Sequence, residues 1–259
     1  ADLIPRTAVF VDASGPVRGD GAVGVVTAAA ELANRNNKVL KGVRFDGRVS
    51  RQHLFRTVTS TVLLPFLVQL DRLPLVALPL GAPVDDVRSL LSEDTLFDSG
   101  HSDSARWFGA IDDALAGSND IRRRLDTRNK LTNQRYDGAP YLVHIGMGGA
   151  VPCAGWHPGP AGWDRPFVAD QTTYVMAVSD PVEAAYVVGV VNSSALSSRI
   201  RAFQSKGLLG ARHVHKLAQQ AVPPFDPTDP LHLRISRASD ACAAAAAVAV
   251  TPSMADTTR

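Results

Sequence analysis

The stretch TTYVMAVSDPVEAAYVVGVV, Thr172 to Val191, decides the fold. Its first seven residues, Thr172–Val178, have the Thr, Tyr and Val composition of a strand. Asp180-Pro181-Val182-Glu183 then marks a helix start, with Asp180 as N-cap, Pro181 as first helical residue and Glu183 as capping-box partner. The residues from Ala184 to Val191 carry no polar stripe, so this predicted helix is buried on most faces. A strand that passes through one cap into a buried helix needs a sheet for that helix to lie against.

Outward from this point, four further segments have strand composition between Gly, Pro or Asp punctuation: Thr7–Ala13, Gly21–Thr27, Leu73–Leu80 and Tyr141–Ile145. Helical spacing of Trp107, Ile111, Leu115, Ile121 and Leu125 predicts helix across Asp103–Leu125, broken near Gly117-Ser118-Asn119. Shorter helices are expected at Ala195–Ser205 and His232–Ser239. Strands and helices mix without a regular βαβ repeat. The fold class is therefore α/β, with α+β left open: a mixed sheet with surrounding helices. Residues 1–240 are expected to form one domain, and 241–259 an Ala-rich tail or connection, poorly ordered.

The chain has 259 residues, 45% hydrophobic and 20% charged, with 20 Gly and 17 Pro, which excludes collagen-like, coiled-coil and wholly disordered classes. The most apolar run, Val62–Leu70, is short and interrupted by Pro65, so no membrane span is predicted. The opening residues lack both an initiator Met and a signal-peptide pattern, and a processed chain or a piece of a longer one is expected. Two cysteines, Cys153 and Cys242, are too few for a disulfide scaffold, which predicts a reducing, cytoplasmic setting.

A net charge of +2 conceals strong segregation. Residues 31–56 hold seven basic side chains against Glu31 and Asp46, and residues 121–140 hold six (Arg122, Arg123, Arg124, Arg128, Lys130 and Arg135) against Asp126 and Asp137. Residues 196–216 hold five (Arg199, Arg201, Lys206, Arg212 and Lys216) against none. Between the first two islands, residues 57–120 carry ten acidic and three basic groups. Basic islands that converge on one face form a footprint for a phosphate backbone; islands that stay apart are ordinary solvated faces. Arginine predominates, which suits bidentate contacts to phosphate or guanine.

Catalytic motifs are sparse. Gly146-Met147-Gly148-Gly149 follows a strand but runs into Val151-Pro152 where a nucleotide loop would open a helix. Gly100-His101-Ser102-Asp103-Ser104 lacks the second glycine of a nucleophile elbow. His213 and His215 form an H-x-H pair with no third ligand at a matching spacing, so no metal is assigned. Trp156 and Trp163 bracket a Gly/Pro-rich segment, Gly155–Gly162, that is either packing or a contact loop able to stack on bases. The segment from Gln204 through Lys206, Gly207, Gly210, Arg212 and His213 to Lys216 gathers base-reading and phosphate-holding side chains around two glycines. A plain basic turn is the alternative.

At this segment the sequence also resembles a family. Thr172-Thr173-Tyr174 through Tyr186, Val191-Asn192-Ser193, Gln204–Lys216, Pro223-Pro224-Phe225-Asp226-Pro227 and Pro230-Leu231-His232 resemble the C-terminal target-recognition region of bacterial and archaeal adenine-specific (N6) DNA methyltransferases of restriction-modification type. Leu3–Phe10 and Leu73–Leu80 are similar to the opening of that region. The likeness is most specific over residues 172–232.

The resemblance implies a domain that positions duplex DNA, while a separate catalytic domain or subunit binds S-adenosylmethionine and flips the adenine. It implies DNA contacts by Arg122, Arg123, Arg124, Arg128, Lys130, Arg199, Arg201 and the Gln204–Lys216 segment. The catalytic Asn/Asp-Pro-Pro-aromatic motif has Val222 in place of its polar residue, in Val222-Pro223-Pro224-Phe225. No catalytic residue and no cofactor is therefore expected in this chain itself. Two further readings stay open: a protein–protein docking module using apolar Leu63–Leu80, and a metal-dependent hydrolase using His213 and His215.

Overall fold

The computed structural model describes residues 6–17, 21–29, 43–84, 87–115, 125–136, 138–146, 151–161, 163–201, 205–207, 210–212 and 222–250. In chain order the strands are β1 (Phe10–Val17), β2 (Ala22–Thr27), β3 (Asp46–Ser50), β4 (Leu54–Arg56), β5 (Leu63–Leu64), β6 (Leu67–Val68), β7 (Leu75–Ala77), β8 (Tyr141–Gly146), β9 (Ala154–Pro158), β10 (Thr173–Val178), β11 (Ser205–Gly207) and β12 (Gly210–Arg212). The helices are α1 (Arg6–Val9), α2 (Glu93–Asp98), α3 (Ser102–Ala114), α4 (Pro181–Val191), α5 (Ser194–Arg201) and α6 (Pro230–Val250). The chain forms two compact units, in place of the single domain expected over residues 1–240. The first comprises Ala1–Thr57, Pro74–Arg135 and Gly162–Gln171; the second comprises Val58–Leu73, Tyr136–Ala161 and Thr172–Arg259.

In the first unit five strands form a sheet in the order β3-β2-β1-β7-β4. Every ladder in it is antiparallel. Val23 and Val25 of β2, Phe10 and Val11 of β1, and Val76 and Ala77 of β7 are buried in one core with Trp107, Phe108 and Ile111 of α3. Those three α3 residues lie on one face at helical spacing, so the hydrophobic periodicity is satisfied by the sheet. Ser104, also buried, ties the helix to the sheet edge: its Oγ accepts the Ser50 N–H at 2.9 Å.

In the second unit β8 is the middle strand of a three-stranded antiparallel sheet, β10-β8-β9, with Thr173 opposite Gly146 and Val178 opposite Tyr141. The Asp180 carboxylate accepts the Val182 N–H at 2.9 Å, and Pro181 opens α4, as the sequence predicts. Ala184, Ala185, Tyr186, Val187, Val188 and Val191 are all buried, because α4 contacts the sheet as well as α6. Gly189 allows the helices to approach closely: a Cβ there would lie 2.7 Å from Ile235 Cγ2. Asn192 fixes the C-terminal end of α4, its side-chain amide pairing with both the N–H (3.0 Å) and the C=O (2.8 Å) of Ala154.

Strands and helices combine as anticipated, consistent with the α/β class and with the α+β alternative, and the ladders between the named strands are antiparallel. Two local expectations change. The segment Thr7–Ala13 begins as a short helix and becomes strand only at Phe10. The Ala-rich run after residue 240 is not a frayed connection: it extends α6 to Val250. Alanine has the highest helix propensity, and a helix already docked by Ile235, Ser236 and Ser239 needs no further nucleation to continue through it.

Candidate nucleic-acid interface

The strongest basic island without acid, residues 196–216, is carried by the second unit. Helix α5 is amphipathic, with Leu196 and Ile200 buried four residues apart and Arg199 exposed. Arg201 closes the helix. The chain then forms a two-stranded antiparallel ribbon from β11 and β12, in which Ser205 stands opposite Arg212, Lys206 opposite Ala211 and Gly207 opposite Gly210. Both glycines singled out in the sequence thus form the innermost pair of the ribbon, separated in sequence only by Leu208 and Leu209. Arg199 and Arg201 on the helix and Lys206 and Arg212 on the ribbon strands are close neighbours in sequence.

The other expected DNA-contacting residues fall elsewhere. Arg128 and Lys130 are exposed in the first unit, at a turn where Arg128 has φ 59°. Asp126 orders that turn, its Oδ1 accepting the N–H groups of Leu131 (2.8 Å) and Thr132 (3.0 Å). Arg122, Arg123, Arg124, Gln204, His213 and Lys216 lie outside the described residues, as do His215, the Met147–Ala150 glycine segment and residues 251–259.

Behind the ribbon-bearing helix, the segment Pro223–His232 has a structural role that the sequence did not disclose. Asp226 Oδ1 accepts from the Thr228 N–H and hydroxyl at 2.8 and 2.7 Å, a tight Asx turn that draws the Asp226 carboxyl below its ordinary pKa. Asp229 Oδ1 accepts the Leu231 N–H at 2.7 Å and caps α6. His232 Nδ1 accepts the Asp226 N–H at 3.0 Å. Tyr186 donates its hydroxyl to the Pro223 carbonyl at 3.2 Å, and its ring lies 5.3 Å from that of Phe225 and 4.5 Å from that of His232. Burial, and then the Asp229 charge, raise the Tyr186 pKa. The Pro-Pro-Phe string is thus a packed helix entry whose only side-chain chemistry is apolar. It does not supply the polar group that would hold an adenine amine.

The Gly155–Gly162 segment is no contact loop in its first half: residues through Pro158 are strand β9. Trp156 is half-buried and edge-on to Tyr141 at 5.8 Å, with its indole N–H donated to Asp240 of α6. Trp163 packs edge-on against Phe167 at 6.0 Å. The stretch Leu63–Leu80 divides between the two units, with Leu70 exposed. Leu63, Val68 and Leu73 are buried in the second unit, and Val76, Ala77, Leu78 and Leu80 in the first.

Sequence reasoning passed over a buried histidine pair. His144 on β8 and His157 on β9 are neighbours across the ladder, Nε2 to Nε2 at 2.9 Å with rings stacked at 4.9 Å. His157 donates Nδ1–H to the Pro158 carbonyl, so its Nε2 accepts, and His144 supplies the Nε2–H. Burial lowers both pKa values, and the neighbouring His157 lowers that of His144 further. The pair holds one proton between two neutral rings. Only the registration of two strands reveals it. Cys153 is equally inert, its thiol pushed up to about 11 by burial.

Among the described residues no group of three or more His, Cys, Asp or Glu is arranged to hold a metal ion, and no helix is long and apolar enough to cross a membrane. Neither protein-family models nor curated proteins match this sequence.

Proposed function

We propose that this chain is the DNA target-recognition part of an adenine-specific (N6) DNA methyltransferase of a restriction-modification system. It positions duplex DNA for a catalytic domain or subunit that binds S-adenosylmethionine and is separate from the residues described here. The observation that carries this reading is the basic helix–ribbon unit of α5, β11 and β12. A two-stranded ribbon is one of the two elements that fit the B-DNA major groove, roughly 12 Å wide. Its Lys206 and Arg212, with Arg199 and Arg201 just before them, are five-donor or ammonium groups with no acid in the same segment.

The resemblance over residues 172–232 supports the same reading. The buried α4, the Asn192 clasp and the Pro223–His232 helix entry make a rigid mount, and the basic residues follow the mounted helix. Positioning by phosphate contacts and selection by base-edge contacts are separable. Accordingly Arg212→Ala changes the preference among duplex sequences, whereas Arg123→Ala weakens binding to all of them alike. Binding of a panel of randomised duplexes, sequenced before and after selection, checks this. Equal, unselective losses in both variants contradict the assignment of Arg212.

A further inference from the structure

The first unit contains a second assembly of cations, built in a different way. Its members are distant in sequence: Arg51 follows β3, and Asp164 and Arg165 lie 113 and 114 residues later. Together with Ser50, Gln52 and His101 they line an open cavity of about 340 Å³.

Three arginines gather around Asp164 here. Arg56 takes both oxygens of Asp164, Nε to Oδ1 and an Nη to Oδ2, each at 3.3 Å. Arg51 reaches only the Asp164 backbone carbonyl, at 3.4 Å. Arg165 bonds that same carbonyl at 2.6 Å, and the nearest approach of its guanidinium to the carboxylate is 3.8 Å. Its Nε is buried with no hydrogen-bond partner among the described residues, and its side chain is only 11% exposed. A surplus of two positive charges therefore stands around the cavity. Burial, and then the Arg51 charge, depress the Arg165 pKa, with Arg56 adding to the effect and Asp164 opposing it.

The remaining lining is also suited to an anion. Gln52 and His101 stand with their Nε2 atoms 2.7 Å apart at the rim. His53 lies behind them, fully buried, edge-on to His101 at 5.1 Å and bonded through Nδ1 to Ser104 Oγ at 2.9 Å. That bond and the Ser50 amide occupy the Ser104 hydroxyl, so the serine braces the pocket wall and is no nucleophile. With the Asp164 carboxylate hydrogen-bonded to Arg56, the guanidinium groups of Arg51 and Arg165, each on a backbone carbonyl, keep donors that a tetrahedral oxyanion can take in pairs.

We infer that the cavity formed by Arg51, Arg165, Gln52 and His101 is a binding site for a phosphate group. The source of that phosphate is either the backbone of DNA, in which case the site rests on the function proposed above and anchors the duplex through the first unit, or a free phosphate or phosphate monoester.

Isothermal titration of the full chain with inorganic phosphate in low-salt chloride buffer tests the site itself. The wild type binds phosphate saturably, and Arg165→Ala and Arg51→Ala each bind about tenfold more weakly, the loss expected for one charge-assisted contact. Arg51 is exposed, so its variant keeps the fold even if Arg165→Ala does not, and a thermal melt of each confirms which is the case. The absence of saturable binding by the wild type, or equal binding by wild type and Arg51→Ala, overturns the inference. Titration with a short duplex separates the sources. A parallel loss in Arg51→Ala assigns the phosphate to DNA; unchanged duplex affinity with lost phosphate binding assigns it to a small ligand. If the wild type binds phosphate but no duplex, the pocket stands and the DNA function falls.

Discussion

The two units deploy their cations in contrasting ways. In the first, three arginines gather around Asp164: Arg56 on its carboxylate, and Arg51 and Arg165 on its backbone carbonyl, with Arg165 largely buried. In the second, Arg199 stands exposed on α5, and Lys206 and Arg212 lie on a short ribbon with no acid in the segment. Clustered guanidinium groups suit a ligand of constant shape such as phosphate. Cations on a thin ribbon suit a groove, where the partner's edges vary from one base pair to the next. The contrast teaches that a near-neutral protein can contain two cationic arrangements of different kinds, one gathered around a carboxylate and one spread along a helix and ribbon.

The largest effect expected from breaking this contrast comes from Gly189→Val. The added side chain meets Ile235 where α4 and α6 are closest, and overpacking of this kind costs about 1–3 kcal/mol, occasionally more. The denaturation midpoint falls, and sequence-selective DNA binding falls with it because the mount of α5 and the ribbon is loosened. Phosphate binding by the first unit persists in conditions where the variant remains folded. Retention of full selectivity by a destabilised Gly189→Val protein would separate the ribbon from its mount and break the comparison.

Acid provides a smaller, graded test that touches both units. His53 in the first has its pKa lowered to about 4 by burial and then by His101, and His144 and His157 in the second are also held below the ordinary value. A group with a depressed folded pKa is neutral in the native state and takes up protons on unfolding. Its stabilising contribution is complete above the unfolded value of about 6.5 and declines as pH falls below it, for His53 down to about 4. Thermal melts between pH 7.5 and 4.5 therefore show a falling midpoint. In His144→Gln the part of that slope due to the second unit is reduced, which sharpens the assignment; an unchanged slope in that variant and in His53→Gln contradicts it.

Much of the fold was legible because local chemistry specified it. Asp180-Pro181 announced α4 and Thr172–Val178 announced β10, since a cap and a run of Thr, Tyr and Val are decided by neighbours in sequence. Where the reading failed, a longer-range partner decided. Residues 241–250 looked like a tail until α6 was seen docked on α4, which supplies the nucleus that alanines then extend. The ribbon was legible as a glycine-framed basic segment, though its strand pairing was not. The arginine pocket was not legible at all. Arg51 belonged to a counted island, but nothing local says that Asp164 and Arg165 return to it across more than a hundred residues, because that meeting is set by the first unit's packing. The Pro-Pro-Phe string, which in the sequence already lacks the polar residue of a catalytic motif, makes the contacts of a helix entry.

The central claim, that this chain grips duplex DNA, is tested most directly by the salt dependence of its affinity. Fluorescence anisotropy of a labelled duplex, titrated with the full chain at 50 and 200 mM salt, measures it. Neutralisation of several phosphates by the two cationic arrangements predicts tight binding at the lower salt and a loss of about 10³-fold or more at the higher, the range for six or more phosphate contacts. No binding at 50 mM salt, or an affinity that does not change between the two concentrations, contradicts the claim.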